Sequence, residues 1–266
     1  MQEKNKDRSL SIGFCDSGVG GLSVFSKCRT LLPNEDMIYY GDLKNVPYGN
    51  KTPEELFLYL TSILDFFAEK KVKAVVLACN TTSAVVYDLV KDKYPFEIYP
   101  IIQSSARILA ELNVKRLGVF ATQATINSGA YEREINKYNP DIQVYSKACK
   151  GWVEIVENKS QESLESVALV KKYLDEILVN EPQKIVLGCT HYPFLREVLQ
   201  KFVPDSMLID PAEYFSKFIQ EDLVNKSLNN LQNIKGKEEF YVSANPQQFR
   251  DSAELFYKLN SNPILL

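Results

Sequence analysis

Short apolar runs alternate with segments of helical period almost from one end of the chain to the other. The strand-like runs fall near residues 10–15, 36–40, 73–78, 97–102, 115–120, 141–146, 183–187, 206–209 and 238–243. Strands alternating with amphipathic helices predict an α/β fold with mainly parallel sheets flanked by helices. Thr52 is placed to cap one of those helices, with Pro53 in its first turn and Glu55 closing a capping box. Leu56, Leu60, Ile63, Leu64 and Phe67 then share its buried face, and Leu164, Val167, Leu174, Ile177 and Leu178 give a second such stripe. Both stripes read as core.

One pattern occurs twice. "VVLACNTTSA" ends its apolar run at Cys79, and "IVLGCTHYPF" does the same at Cys189, 110 residues on. "IGFCDSG" from Ile12 aligns with "LGVFATQ" from Leu117 at an offset of 105, and "IYP" ending at Pro100 with "IDP" ending at Pro211 at 111. Similar offsets in the same order predict two copies of one α/β unit, although apolar strands match by chance easily enough that one or two of the pairs alone would prove little. The expected division is a first domain of residues 1–98 plus 212–266 and a second of 99–211. "FYVS" and a helix after Pro246 would return to the first, past the polar surface connection "NKSLNNLQNIKGK". Two such units, related by a pseudo-twofold, would bring both cysteine motifs to one cleft, because ligands of open α/β sheets sit beyond the carboxyl ends of strands.

Charge narrows the function. Lys and Arg number 31 against 34 Asp and Glu, for a net charge of −3, which argues against a general phosphate-backbone binder and so against nucleic acid as a partner. No apolar run approaches the roughly 18 residues of a membrane span, and "MQEKNKDRSL" is polar where a signal peptide would be apolar. A cytoplasmic protein is expected. Five widely spaced cysteines suit a reducing compartment better than a disulfide framework. With no Cys-x-x-Cys and a single histidine, His191, no metal site is expected.

Cysteine behaves as a small buried hydrophobe, and Cys15, Cys28 and Cys149 take that reading. Cys79 and Cys189 each end a strand, and each is expected to open a helix whose free N–H groups favour a thiolate. Ionising an ordinary thiol at neutral pH costs about 2 kcal/mol, and a helix N-terminus returns up to about 2 kcal/mol. One thiolate is therefore tolerable, and two close together would repel. A thiolate facing a thiol is a base facing an acid, which suits abstraction of a proton from one face of a carbon and its return to the other. A hydrolase would instead need a cysteine–histidine pair; His191, two residues from Cys189 on a tight turn, is poorly placed for it, and Cys79 would be idle.

The polar turns add binding groups. "CDSGVGG" permits tight turns and close backbone approach, but Ser23 stands where a dinucleotide fingerprint wants glycine, so it reads equally as a βα turn. Asp16 in it could hold an ammonium group or tune a thiol. "GDLKNVPYGNKTP" could be a surface loop alone, and "NTTS", "ATQAT" and "CTH" serve either as helix caps or as neutral donors to carboxylates. Apart from Lys44 and Lys51, these segments carry no basic side chain, which leaves a proton-abstraction site without a strong cationic partner.

Taken in order, "DSGVGG" at 16–21, "GDLKNVPYG" at 41–49, "ACNTTSA" at 78–84, "ATQATINSGAY" at 121–131 and "LGCTHYPFL" at 187–195 resemble the motifs of glutamate racemase, in the aspartate/glutamate racemase superfamily. "FYVSANPQQF" resembles that family's C-terminal segment, so the likeness spans nearly the whole chain. The resemblance implies cofactor-independent interconversion of L- and D-glutamate, supplying D-glutamate for peptidoglycan, with glutamate as partner and a homodimer as one possible assembly. It implies Cys79 and Cys189 as the two bases, with Asp16, His191 and Glu157 assisting. Around the substrate it implies Asp16, Ser17, Pro47, Tyr48, Gly49, Asn80, Thr81, Thr82, Thr122, Thr190 and His191. Racemisation of aspartate or another small diacid, or a non-catalytic binding or regulatory paralogue, are the alternatives. "QSSAR" at 103–107 and "KGWVE" at 150–154 depart from the family's usual runs.

Overall fold

In the computed structural model, which describes residues 4–266, the alternation resolves into two parallel sheets. The first is built from β1 (Ile12–Asp16), β2 (Met37–Gly41), β3 (Ala74–Leu77), β4 (Glu97–Pro100), β9 (Glu238–Val242) and β10 (Ile264–Leu265), in the order β10-β9-β2-β1-β3-β4. The second holds β5 (Arg116–Ala121), β6 (Gln143–Ala148), β7 (Lys184–Gly188) and β8 (Leu208–Ile209), in the order β6-β5-β7-β8. The order β2-β1-β3-β4 thus recurs as β6-β5-β7-β8. Register recurs with it: Ile12 pairs with Ala74 as Leu117 pairs with Lys184, and Val75 pairs with Ile98 as Ile185 pairs with Leu208. Every residue of β4 pairs with β3, so the strand that a division at 98/99 would cut stays whole in the first sheet.

Side chains alternate across each strand and so sort into three cores. Between the sheets, Phe14, Val76, Val119 and Val186 pack with α1 (Leu22–Leu31), α5 (Ile101–Ala110), α7 (Ala130–Asn136) and α11 (Pro211–Asn225). Outside the first sheet, Cys15, Ile38, Val75 and Leu77 pack under α2 (Pro53–Glu69), whose Thr52–Glu55 capping box is formed and whose Leu56, Leu60, Ile63, Leu64 and Phe67 are buried as expected. Outside the second sheet, Phe120, Ile185 and Leu187 pack with α8 (Trp152–Glu157), α9 (Leu164–Leu178) and α10 (Arg196–Gln200). The remaining helices are short: α3 (Asn80–Val85), α4 (Tyr87–Val90), α6 (Gln123–Asn127) and α12 (Pro246–Ala253).

The α9 stripe needs correction. Its buried residues are Ser166, Val170, Leu174 and Ile177, while Leu164 is exposed. At about 100° per residue Leu164 lies roughly 120° round the helix from Val170, off the packed face. β10 was not legible in the sequence, because its two residues are exposed at a sheet edge and alternate nothing. Among the described residues no helix is long and apolar enough to cross a membrane.

Candidate active site

Cys79 occupies the N-cap of α3, separated from β3 by Ala78 alone, and is only 6% exposed. Burial and the nearby Asp16 carboxylate push its thiol up to about 12, the backbone N–H groups of Thr82 and Thr81 opposing them in part and a charge on Cys189 adding to the rise. Cys79 therefore rests as a thiol. Cys79 belongs to the core outside the first sheet as Cys189 belongs to the core outside the second.

Cys189, 7% exposed, departs from the expected helix N-cap. After it come Thr190 and His191, then a 3₁₀ turn over Tyr192–Leu195, and only at Arg196 does α10 begin. Beside its sulfur stands His191 instead, whose Nδ1 lies 3.9 Å from Sγ. His191 Nε2 faces Glu157 Oε1 at 3.2 Å from the end of α8. Burial disfavours the imidazolium, but the hydrogen bonds with Cys189 and Glu157, and the charge of Asp16, outweigh it and hold its proton up to about 10. His191 is thus the buried cation that the motif reading did not find. Lys51 is engaged at the surface with Glu55 at 3.4 Å, and Lys44 is exposed.

Asp16 ends β1, the strand beside β3, and is buried. Burial raises its carboxyl to about 6, although His191, the Thr190 hydroxyl and the N–H groups of Ser17 and Gly21 all favour the charge. Thr190 Oγ1 donates to Asp16 Oδ1 across 3.2 Å, joining the end of β7 to the end of β1. The glycines of "DSGVGG" make this approach possible: a Cβ on Gly20 would overlap Thr190 and His191. Ser23, the residue that spoils the dinucleotide fingerprint, hydrogen-bonds the Thr190 carbonyl at 3.4 Å.

The neutral donors meet on the opposite side. Thr81 Oγ1 lies 2.9 Å from Thr122 Oγ1 and 3.4 Å from Thr125 Oγ1, so the start of α3 touches the cap of α6. Thr82 Oγ1 donates to the Cys79 carbonyl at 3.1 Å. Tyr131 OH donates to Asn80 Oδ1 at 2.7 Å, and Asn80 Nδ2 and Asp16 Oδ2 are buried without a hydrogen-bond partner among the described residues. Tyr48, buried, is held by Asp42 Oδ2 at 2.5 Å, and Gly49 abuts Thr122 so closely that a Cβ there would stand 3.0 Å from the threonine's own. Ser17 is half-buried and Pro47 exposed, next to these groups in sequence. The ends of β1, β3, β5 and β7 therefore share one cluster.

Four contributors were not singled out from the sequence. Tyr131 ends the motif at 121–131, and Asp42 is the second residue of the motif at 41–49; each had a signal. Thr125 also lay inside a motif but read as a cap. Gln103, in a departing segment, exchanges hydrogen bonds with Ser83 at 2.7 and 2.9 Å and so ties α3 to α5. Among the described residues no three His, Cys, Asp or Glu side chains gather as a metal ion requires.

The Asp/Glu/Hydantoin racemase family profile matches residues 18–215, a stretch that carries both cysteines. The chain belongs to this family. It is 39% identical to glutamate racemase 2 of Caldanaerobacter subterraneus subsp. tengcongensis over 93% of each chain. Among solved structures it resembles the glutamate racemase of Francisella tularensis in complex with D-glutamate, with a TM-score of 0.91 and 34% identity over 97% of this chain and 98% of that one. It also resembles a glutamate racemase isoform of Bacillus anthracis, with a TM-score of 0.92 and 28% identity over the same shares. Such agreement over both sheets is that of a family member carrying the complete two-sheet fold.

Proposed function

We propose that this racemase interconverts L- and D-glutamate without a cofactor, Cys79 and Cys189 acting on opposite faces of the substrate Cα. The observation that carries the reading is the pairing itself. Two cysteines at equivalent ends of equivalent strands lie near one Asp16–Thr190–His191 cluster, one held as thiol and the other beside a buried cation. The relatives that share over nine-tenths of their length with this chain support glutamate as the substrate.

In the proposed cycle one sulfur, as thiolate, takes the Cα proton while the other, as thiol, gives its proton to the opposite face. The electron pair left at Cα takes the new proton, so the product is the mirror image and the site's total charge is unchanged. Only the roles of the sulfurs have exchanged, and the reverse reaction begins from that state. In this reading Asp16 Oδ2 accepts from the substrate ammonium, and Asn80 Nδ2, with the Thr81 and Thr122 hydroxyls, donates to its carboxylates. His191 compensates negative charge on the Cys189 side, and Glu157 accepts from its Nε2. The D-glutamate formed fits supply of a peptidoglycan precursor in the cytoplasm.

Optical rotation of L-glutamate with the purified protein and no added cofactor should decay to zero, and either Cys79→Ser or Cys189→Ser should slow that decay by at least about 100-fold. Decay on aspartate alone would reassign the substrate, and full activity in either variant would remove that sulfur from the mechanism.

A further inference from the structure

The chain beyond α12 joins the two halves of the molecule, and one residue of it lies against the site. Phe256 packs against the core between the sheets and against the outer core of the second sheet. Its ring meets that of Phe194 edge-on, centroids 4.3 Å apart at 62°, and that of His191 at 5.6 Å and 79°. Its N–H donates to the Ala253 carbonyl at 2.8 Å, which fixes it to the end of α12. The next residue, Tyr257, is anchored in the opposite direction: its OH donates to Glu238 Oε1 at 2.9 Å, and its ring lies 5.2 Å from Phe25.

His191 needs such a neighbour. The torsion that turns an imidazole has broad, roughly two-fold wells, so hydrogen bonds must choose its orientation. Here Nδ1 makes only long contacts, 3.9 Å to Cys189 Sγ and 3.5 Å to Thr190 Oγ1, and the contact of Nε2, at 3.2 Å, is to a Glu157 side chain that is 43% exposed. None of these alone holds the ring firmly. An aromatic ring packed against it narrows the range of tilt within each broad well, so that the hydrogen bonds choose between fewer orientations, and keeps water away.

We infer that Phe256 is a positioning residue for His191, a strap from the first sheet's C-terminal segment that holds the imidazole between Cys189 and Glu157. This rests on the reading of His191 as a participant in racemisation. Because Phe256 touches no reacting atom, its effect passes through His191 alone.

The test is Phe256→Leu, which keeps apolar bulk and removes the ring, made in the wild type and in His191→Asn. In the wild type kcat should fall roughly tenfold to 100-fold while KM stays within about threefold; in the His191→Asn background the same change should cost less than about twofold. His191 is the sole histidine and Trp152 the sole tryptophan, so each gives an unambiguous signal. The His191 ring resonances should be single in the wild type and broadened or doubled in Phe256→Leu, with Trp152 emission unchanged to show an intact second core. Equal losses in both backgrounds, or His191 resonances untouched by the substitution, would overturn the inference. Should the wild type fail to racemise glutamate, the His191 resonances still decide it.

Discussion

At the residue scale, the site works by setting neighbouring charges against burial. Asp16 carries the clearest pH signature. Its folded carboxyl titrates at about 6 against 3.8 when free, so folding takes up a proton between those values. Stability contributed by this group therefore falls as pH rises through that window and stays lower above it. Asp16→Asn should raise the thermal midpoint at pH 7 by several degrees, for a gain of the order of 2 kcal/mol, and lose that advantage at pH 3.5. The same variant should lower racemisation at least about tenfold and erase an acid limb near pH 6. A midpoint shift of equal size at both pH values would show that Asp16 does not rest in its raised state. His191 has the same slope with pH, but it is a stabilising contribution that is lost rather than a cost that is incurred. Its folded value of about 10 exceeds the free 6.5, so its contribution is full below pH 6.5 and disappears as pH rises through about 10. Ring NMR should show imidazolium throughout neutral pH, and a midpoint near 6.5 would remove the cation from the site.

At the scale of elements, strand ends and the turns after them aim these groups. The strand ends were legible because the apolar run stops where chemistry begins: Cys189 comes directly after β7, and Cys79 one residue beyond β3, after buried Ala78. The turns beyond the two cysteines were harder to read. Identical-looking motifs give an α-helix after Cys79 but a 3₁₀ turn after Cys189, where Pro193 lacks the N–H that a continuous helix would use beyond its first turn. That difference brings His191 to the sulfur in place of a helix N-terminus. The aim of α3 depends on Gln103, whose side chain accepts from the hydroxyl of buried Ser83, which itself accepts from the Ile102 N–H, and donates to the Ser83 carbonyl. Gln103→Ala leaves that hydroxyl and carbonyl short of partners, which should cost about 1–3 kcal/mol in a denaturant melt and raise KM several-fold by loosening Asn80 to Thr82. Unchanged stability and KM would show that α3 is held by its other contacts.

For the whole molecule, duplication supplies the mechanism's symmetry. The repeated strand order and register carry Cys79 and Cys189 to matching places, and the offsets near 110 residues made that readable from the chain alone. Contacts between the halves were not readable: Gly20 against Thr190, Thr81 against Thr122 and Phe256 against His191 join residues remote in sequence, and no local period marks them. The central claim is that two different sulfurs serve the two faces of one carbon. Its most direct test is deuterium at Cα of each enantiomer, measured at early conversion of L-glutamate in D₂O. Two thiols predict that the D-glutamate formed carries solvent deuterium from the first turnovers while recovered L-glutamate stays largely protonated. Equal deuterium in both enantiomers from the start would mean that one base serves both faces, and the two-thiol account would be wrong.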